Sequence, residues 1–96
     1  MLNVKVSKAI NKSEDVTTSA SEVLAANENR VFAILCNTEG PAGETIYLSL
    51  SQTAVAEEGI TLQPGQRFEI SYMNPYLGAI SAIATGACKL SIVEAS

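Results

Sequence analysis

The sequence contains no histidine. That removes the commonest general base and the usual partner of a nucleophilic serine or cysteine. With no Cys-x-x-Cys pair either, a zinc site has no ligand set. Cysteine is limited to Cys36 and Cys88, far apart and each in an apolar, strand-like segment. Cysteine in such a setting acts as a small buried hydrophobe, and a reducing compartment favours two free thiols over a disulfide. Basic residues are outnumbered six to ten, the formal net charge is −4, and no basic run exists. The electrostatic footprint of a nucleic-acid binder is therefore missing, and an anionic membrane surface would repel the chain.

Long hydrophobic runs are missing as well. The longest uncharged stretch, Ile70 to Cys88, is interrupted by Asn74, Pro75 and two glycines, too broken to span a bilayer. Met1 to Ile10 has no apolar segment of signal-peptide type, so synthesis in a cytoplasm is expected. Charged residues make up only 17% of the chain against a usual ~25%, while 47% is apolar. That balance argues for a folded domain rather than disorder and leaves apolar surface available for partners. Ninety-six residues make one domain.

What is present reads as short strands separated by turns. Leu2, Val4 and Val6 alternate with Asn3 and Lys5, as in a strand or extended arm. Ser7 to Asp15 is polar and reads as a connector, so residues 1–15 are expected to form an arm and linker, with the domain over 16–96. Val16 to Asn27 opens on β-branched residues and closes on turn formers, which favours a strand. Val31 to Cys36 is a continuous apolar run, as in a strand buried on both faces. Ile46, Leu48 and Leu50 alternate cleanly, as do Phe68, Ile70 and Tyr72. Between Leu62 and Phe68, Gln63-Pro64-Gly65-Gln66 has proline and glycine where a type II turn needs them. Leu77 to Ala84 and a last strand with Leu90 and Ile92 inward complete the pattern. Seven or eight short strands, punctuated every eight to twelve residues, predict an all-β, antiparallel β-sandwich of jelly-roll type.

Candidate chemistry is thin. Glu57-Glu58 and Glu14-Asp15 are adjacent carboxylates, but neighbours on an extended segment point to opposite faces, and the other ligands of a calcium loop are missing. The glycines form neither a phosphate loop nor a dinucleotide fingerprint. Asn11-Lys12-Ser13 matches a glycosylation sequon without a secretory context. Tyr47, Tyr72 and Tyr76 are the residues from which a sugar-binding patch would be built. No catalytic residue, metal ligand or cofactor-binding residue is assigned, and the chain is expected not to be an enzyme.

Four phrases in order, Val23-Leu24-Ala25-Ala26-Asn27 leading to Arg30, Ile46-Tyr47-Leu48-Ser49-Leu50, Thr53-Ala54-Val55-Ala56 before Gly59-Ile60, and Gly78-Ala79-Ile80-Ser81-Ala82-Ile83, resemble small β-sandwich virion proteins of tailed bacteriophages. The resemblance covers roughly residues 16 to 94 and rests on the ordered set rather than on any one motif. It implies a capsid decoration (cement) protein on the outer capsid surface, made in the bacterial host cytoplasm. The partner would be the major capsid protein, and the assembly a homotrimer. The alternative is a carbohydrate-binding β module of a head fibre or tail component, with a glycan as ligand.

Overall fold

The computed structural model describes residues 6–96, so Leu2 and Val4 of the expected arm lie outside the described residues. Eight strands form: β1 (Ala9–Val16), β2 (Ser21–Leu24), β3 (Phe32–Asn37), β4 (Ile46–Leu50), β5 (Ile60–Leu62), β6 (Arg67–Ile70), β7 (Ile80–Ala84) and β8 (Cys88–Ala95). They make two four-stranded antiparallel sheets, ordered β1-β8-β3-β6 and β2-β7-β4-β5. The pairing is nested: β1 with β8, β2 with β7, β3 with β6, β4 with β5. A long hairpin with its tip between β4 and β5, rolled into two layers, gives this order, which is that of a jelly roll. The expected antiparallel sandwich is what the chain forms.

Period-2 alternation decides which side chains fill the space between the sheets. Leu35 on β3, Ile46 and Leu48 on β4, Ile80 on β7 and Leu90 on β8 are all fully buried. Each such burial is worth about 1.5–3 kcal/mol. Val16, Val23, Leu24, Leu62 and Ile70 close the core at its margins. The predicted type II turn is present: Gly65 has φ +86° and the Gln66 N–H donates to the Gln63 carbonyl at 2.9 Å. Gly59 has φ +79°, and a side chain there would run into the Leu48 carbonyl oxygen, so the entry to β5 requires glycine.

Two expectations need correction. Ser7 to Asp15 is not a connector, because Ala9–Val16 forms β1 and pairs residue for residue with β8, from Ala9 opposite Ala95 to Val16 opposite Cys88. The strand is polar because it lies at a sheet edge and only Val16 reaches the core, so burial imposed no alternation on it. Val31 to Cys36 is likewise not buried on both faces. Ala33, Leu35 and Asn37 point inward, while Phe32, Ile34 and Cys36 lie half-buried on the outer face of the sheet.

Two buried polar residues bracket β3. Just before it, the Arg30 side chain is 0% exposed and its Nε donates to Glu94 Oε2 at 2.7 Å. Its remaining nitrogens donate to the carbonyls of Tyr76 (2.8 Å), Gly78 (3.1 Å) and Ala25 (2.7 Å). At the other end, Asn37 Nδ2 donates to the Glu44 and Leu62 carbonyls, both at 2.9 Å, and its Oδ1 accepts from the Glu39 N–H. Among the described residues, no buried side-chain nitrogen or oxygen lacks a partner. Removing one member of a buried ion pair strands the other, whereas an exposed pair contributes little. Arg30→Ala is therefore expected to lower the unfolding free energy by about 3 kcal/mol in urea titrations. Arg67→Ala, which breaks the solvent-exposed pair with Glu69, is expected to cost less than about 0.5 kcal/mol in the same assay.

Candidate protein-contact surface

The outward side chains of the β1-β8-β3-β6 sheet do not form an ordinary solvated face. On its two central strands Phe32, Ile34 and Val93 stand together, since Ile34 pairs with Val93 across the β3–β8 ladder. Toward β6, Val6, Val31, Phe32, Ile34 and Tyr72 line a groove of about 370 Å³, with Glu69 contributing its only charge among the described residues. A second hollow of about 190 Å³ adjoins it through Val31, Ile70 and Tyr72, and is closed by Pro75 and Leu77.

The sequence places four exposed apolar residues around these hollows: Val6 (47% exposed), Tyr72 (64%), Met73 (79%) and Leu77 (44%). Tyr72 and Met73 sit at the tip of a tight turn held by reciprocal backbone hydrogen bonds between Ser71 and Asn74, at 3.2 and 3.0 Å. The Ser71 hydroxyl accepts from the Met73 N–H at 3.2 Å, and Asn74 Nδ2 donates to the Glu69 carbonyl at 3.0 Å. A tip held this way loses little freedom when a partner covers it. Contiguous exposed apolar surface of this kind makes the corner a candidate site of association.

The residues weighed from the sequence do not converge elsewhere. Glu14 and Asp15 pair separately with Lys12 (2.9 Å) and Lys89 (2.6 Å), and the hydrogen bond that Lys89 donates to Asp15 raises the Lys89 pKa. Glu57 has φ +68° in an exposed turn beside Glu58. Among the described residues there is no group of three side chains suited to hold a metal ion, and no helix long and apolar enough to cross a membrane. The three tyrosines do not make one exposed row. Tyr47 is half-buried on the opposite sheet, and the Tyr76 hydroxyl donates to the Ala79 carbonyl and meets Ser51 Oγ, both at 2.7 Å.

A hydroxyl-rich cleft of about 300 Å³ lies on the other sheet, between Ser21, Glu22, Ser51, Thr53 and Ser81. Its hydroxyls fasten the β4–β5 connection: Ser81 Oγ accepts from the Ala54 N–H at 3.0 Å, and Ser51 is held by Tyr76. Sequence reasoning missed the apolar corner around Tyr72, having grouped that residue with Phe68 and Ile70 on one strand face. The signal available was the unpatterned run Tyr72-Met73-Asn74-Pro75-Tyr76-Leu77, with large apolar residues in a turn.

No family model, no curated protein and no solved structure matches the chain.

The thiols are free and lie on opposite faces of one sheet, Cys36 outward and Cys88 buried inward, so no backbone-preserving rotamer joins them. Burial pushes the Cys88 thiol pKa up, and the nearby carboxylates of Glu39 and Glu44 add to the shift. Lys89 follows Cys88 in sequence but faces the other way, paired with Asp15. The folded state therefore holds the Cys88 proton at pH values where the unfolded chain releases it, so stability falls as pH rises through the thiol's ordinary value. Iodoacetamide at mildly alkaline pH is expected to modify Cys36 first, with Cys88 reacting only on unfolding, as read by peptide mass mapping.

Proposed function

We propose that this chain is a non-catalytic structural protein of a phage virion, a capsid decoration (cement) protein that bridges major capsid subunits on the outer surface of the head. The observation that carries the reading is the rigid apolar corner of Tyr72, Met73, Leu77 and Val6 beside Phe32 and Ile34, which is suited to packing against a protein surface. Jelly-roll sandwiches recur in viral capsid domains, an analogy of fold that raises the reading without carrying it. Charge supports it as well. The two edges of the β1-β8-β3-β6 sheet carry the exposed pairs Lys12–Glu14 and Arg67–Glu69, a pattern that discourages indiscriminate edge pairing and leaves the corner as the adhesive surface. The assembly is a trimer, whose closed symmetry limits growth.

Cosedimentation with coat-protein shells tests this. The chain is expected to pellet with them, and Tyr72→Ser/Met73→Ser is expected to weaken binding by at least about thirtyfold, the loss of one central hot-spot residue. The thermal midpoint should hardly move, since both side chains are exposed. A chain that stays in the supernatant and scatters light as a monomer overturns the reading.

A further inference from the structure

The segment from Val6 to Val16 is attached unlike any other strand. Its backbone pairs with β8 along the whole length of β1, and the ladder runs on past it: Ser7 and Lys8 N–H groups donate to the Ser96 carbonyl, and the Ser96 N–H returns to Lys8. Side-chain burial is almost confined to the two ends. Val16 is fully buried, Val6 half-covers the groove beside Phe32 and Ile34, and between them only Glu14 is partly covered. Ile10 and Lys12 share the inward face with Ile92 and Val16, yet both remain exposed because β2, the facing edge strand of the other sheet, is only four residues long.

The connection to β2 is short. Thr17 to Ala20 must carry the chain from one sheet to the other, across a separation of about 10 Å, while four residues reach at most about 14 Å. A turn in which Thr17 Oγ1 accepts from the Ser19 N–H at 3.1 Å takes up part of that reach, so the crossing has little slack. Short, taut connections favour exchange of the flanking element between copies. Because β1 is an edge strand, moving it breaks a single ladder, and docking it on the β8 of a second copy rebuilds that ladder in full, including Asp15 with Lys89 and Val16 opposite Cys88.

We propose that β1 is an exchangeable strand, which in the assembled protein pairs with β8 of a neighbouring copy of the same chain. The occupant of the β8 edge is then identical in sequence and register to the intrachain strand, and exchange costs only the entropy of association. This deepens the assembly reading and rests on it, and it touches the Tyr72 corner only through Val6, at the start of the exchanged segment.

Cysteine cross-linking decides it. Asn11 and Val93 are directly paired on the outward face, so Asn11→Cys in one copy and Val93→Cys in another, both in a Cys36→Ser background, meet only after exchange. Co-refolded at high concentration and oxidised, the two single variants are expected to give the covalent heterodimer as the main product. A mixture of Asn11→Cys with Gln52→Cys, on the opposite sheet, should give none. The doubly substituted chain, oxidised in dilute solution, should close on itself and so verify the pair geometry. If Asn11→Cys or Val93→Cys perturbs folding, Ser13→Cys and Ser91→Cys, paired on the same face, take their place. Intrachain closure of the double variant with no heterodimer from the single ones at any concentration overturns the exchange. The assembly reading survives that result if the chain still scatters as an oligomer and pellets with shells.

Discussion

A guanidinium cut off from solvent constrains the rest of this fold. Arg30 stands at the entrance to β3, in the β1-β8-β3-β6 sheet, and its charged partner, Glu94, lies on β8 of that sheet. Its other hydrogen bonds end on Ala25, just after β2, and on Tyr76 and Gly78, just before β7. Both of those strands belong to the opposite sheet. One side chain thus fixes the distance between the two layers at the end where the chain crosses from one to the other. Burying a charge is costly unless it is well paired, and here all three guanidinium nitrogens have partners. The loop carrying Tyr76 and Gly78 is therefore held in place from beneath. That loop also presents Tyr72 and Met73, so the apolar corner takes its rigidity from a buried ion pair on its inner side.

Asn37 does at the far end of β3 what Arg30 does at the near end, joining the carbonyls ahead of β4 and at the end of β5. With both ends of the central strand pinned, the nested ladders can close only in one register. The outermost pair in that nest, β1 with β8, joins the two most distant parts of the described chain. Its edge strand β1 also buries the smallest share of its residues, Val16 alone of eight, since it lies beyond the cover of the short β2. Loop-closure entropy is greatest where apolar gain is smallest, so β1 is the last strand to gain by docking and the first to lose little by leaving.

Legibility in the sequence followed burial closely. The β4 pattern Ile46, Leu48, Leu50 and the glycine-bearing turn at Gln63 to Gln66 could be placed from residues alone, because each records a constraint imposed by one buried face or one backbone angle. β1 carried no such record: with neither face covered over most of its length, Asn11, Lys12, Ser13 and Glu14 read as a linker although they form the longest ladder. Arg30 was equally silent, since a single arginine in a turn has no periodicity, and only the meeting of the Ala25 carbonyl with those of distant Tyr76 and Gly78 shows what it does. The jelly-roll type was legible as a class, while the strand order that defines it depends on pairings no local pattern contains.

The reading of Val31 to Cys36 as a strand covered on both faces failed in an informative way. Composition alone demanded cover on two sides, and the fold supplies it on one. Phe32, Ile34 and, across the ladder, Val93 are apolar where a solvated sheet face would alternate to polar residues. They continue into the groove with Val6 and Tyr72. The low charge fraction of the chain is thus accounted for at a specific place: apolar residues beyond the needs of the core are gathered on one outer face and the turn beside it. A partner that covers this face completes the second side that the β3 sequence anticipates. On the function proposed above, another protein surface meets the physical demand left over after folding.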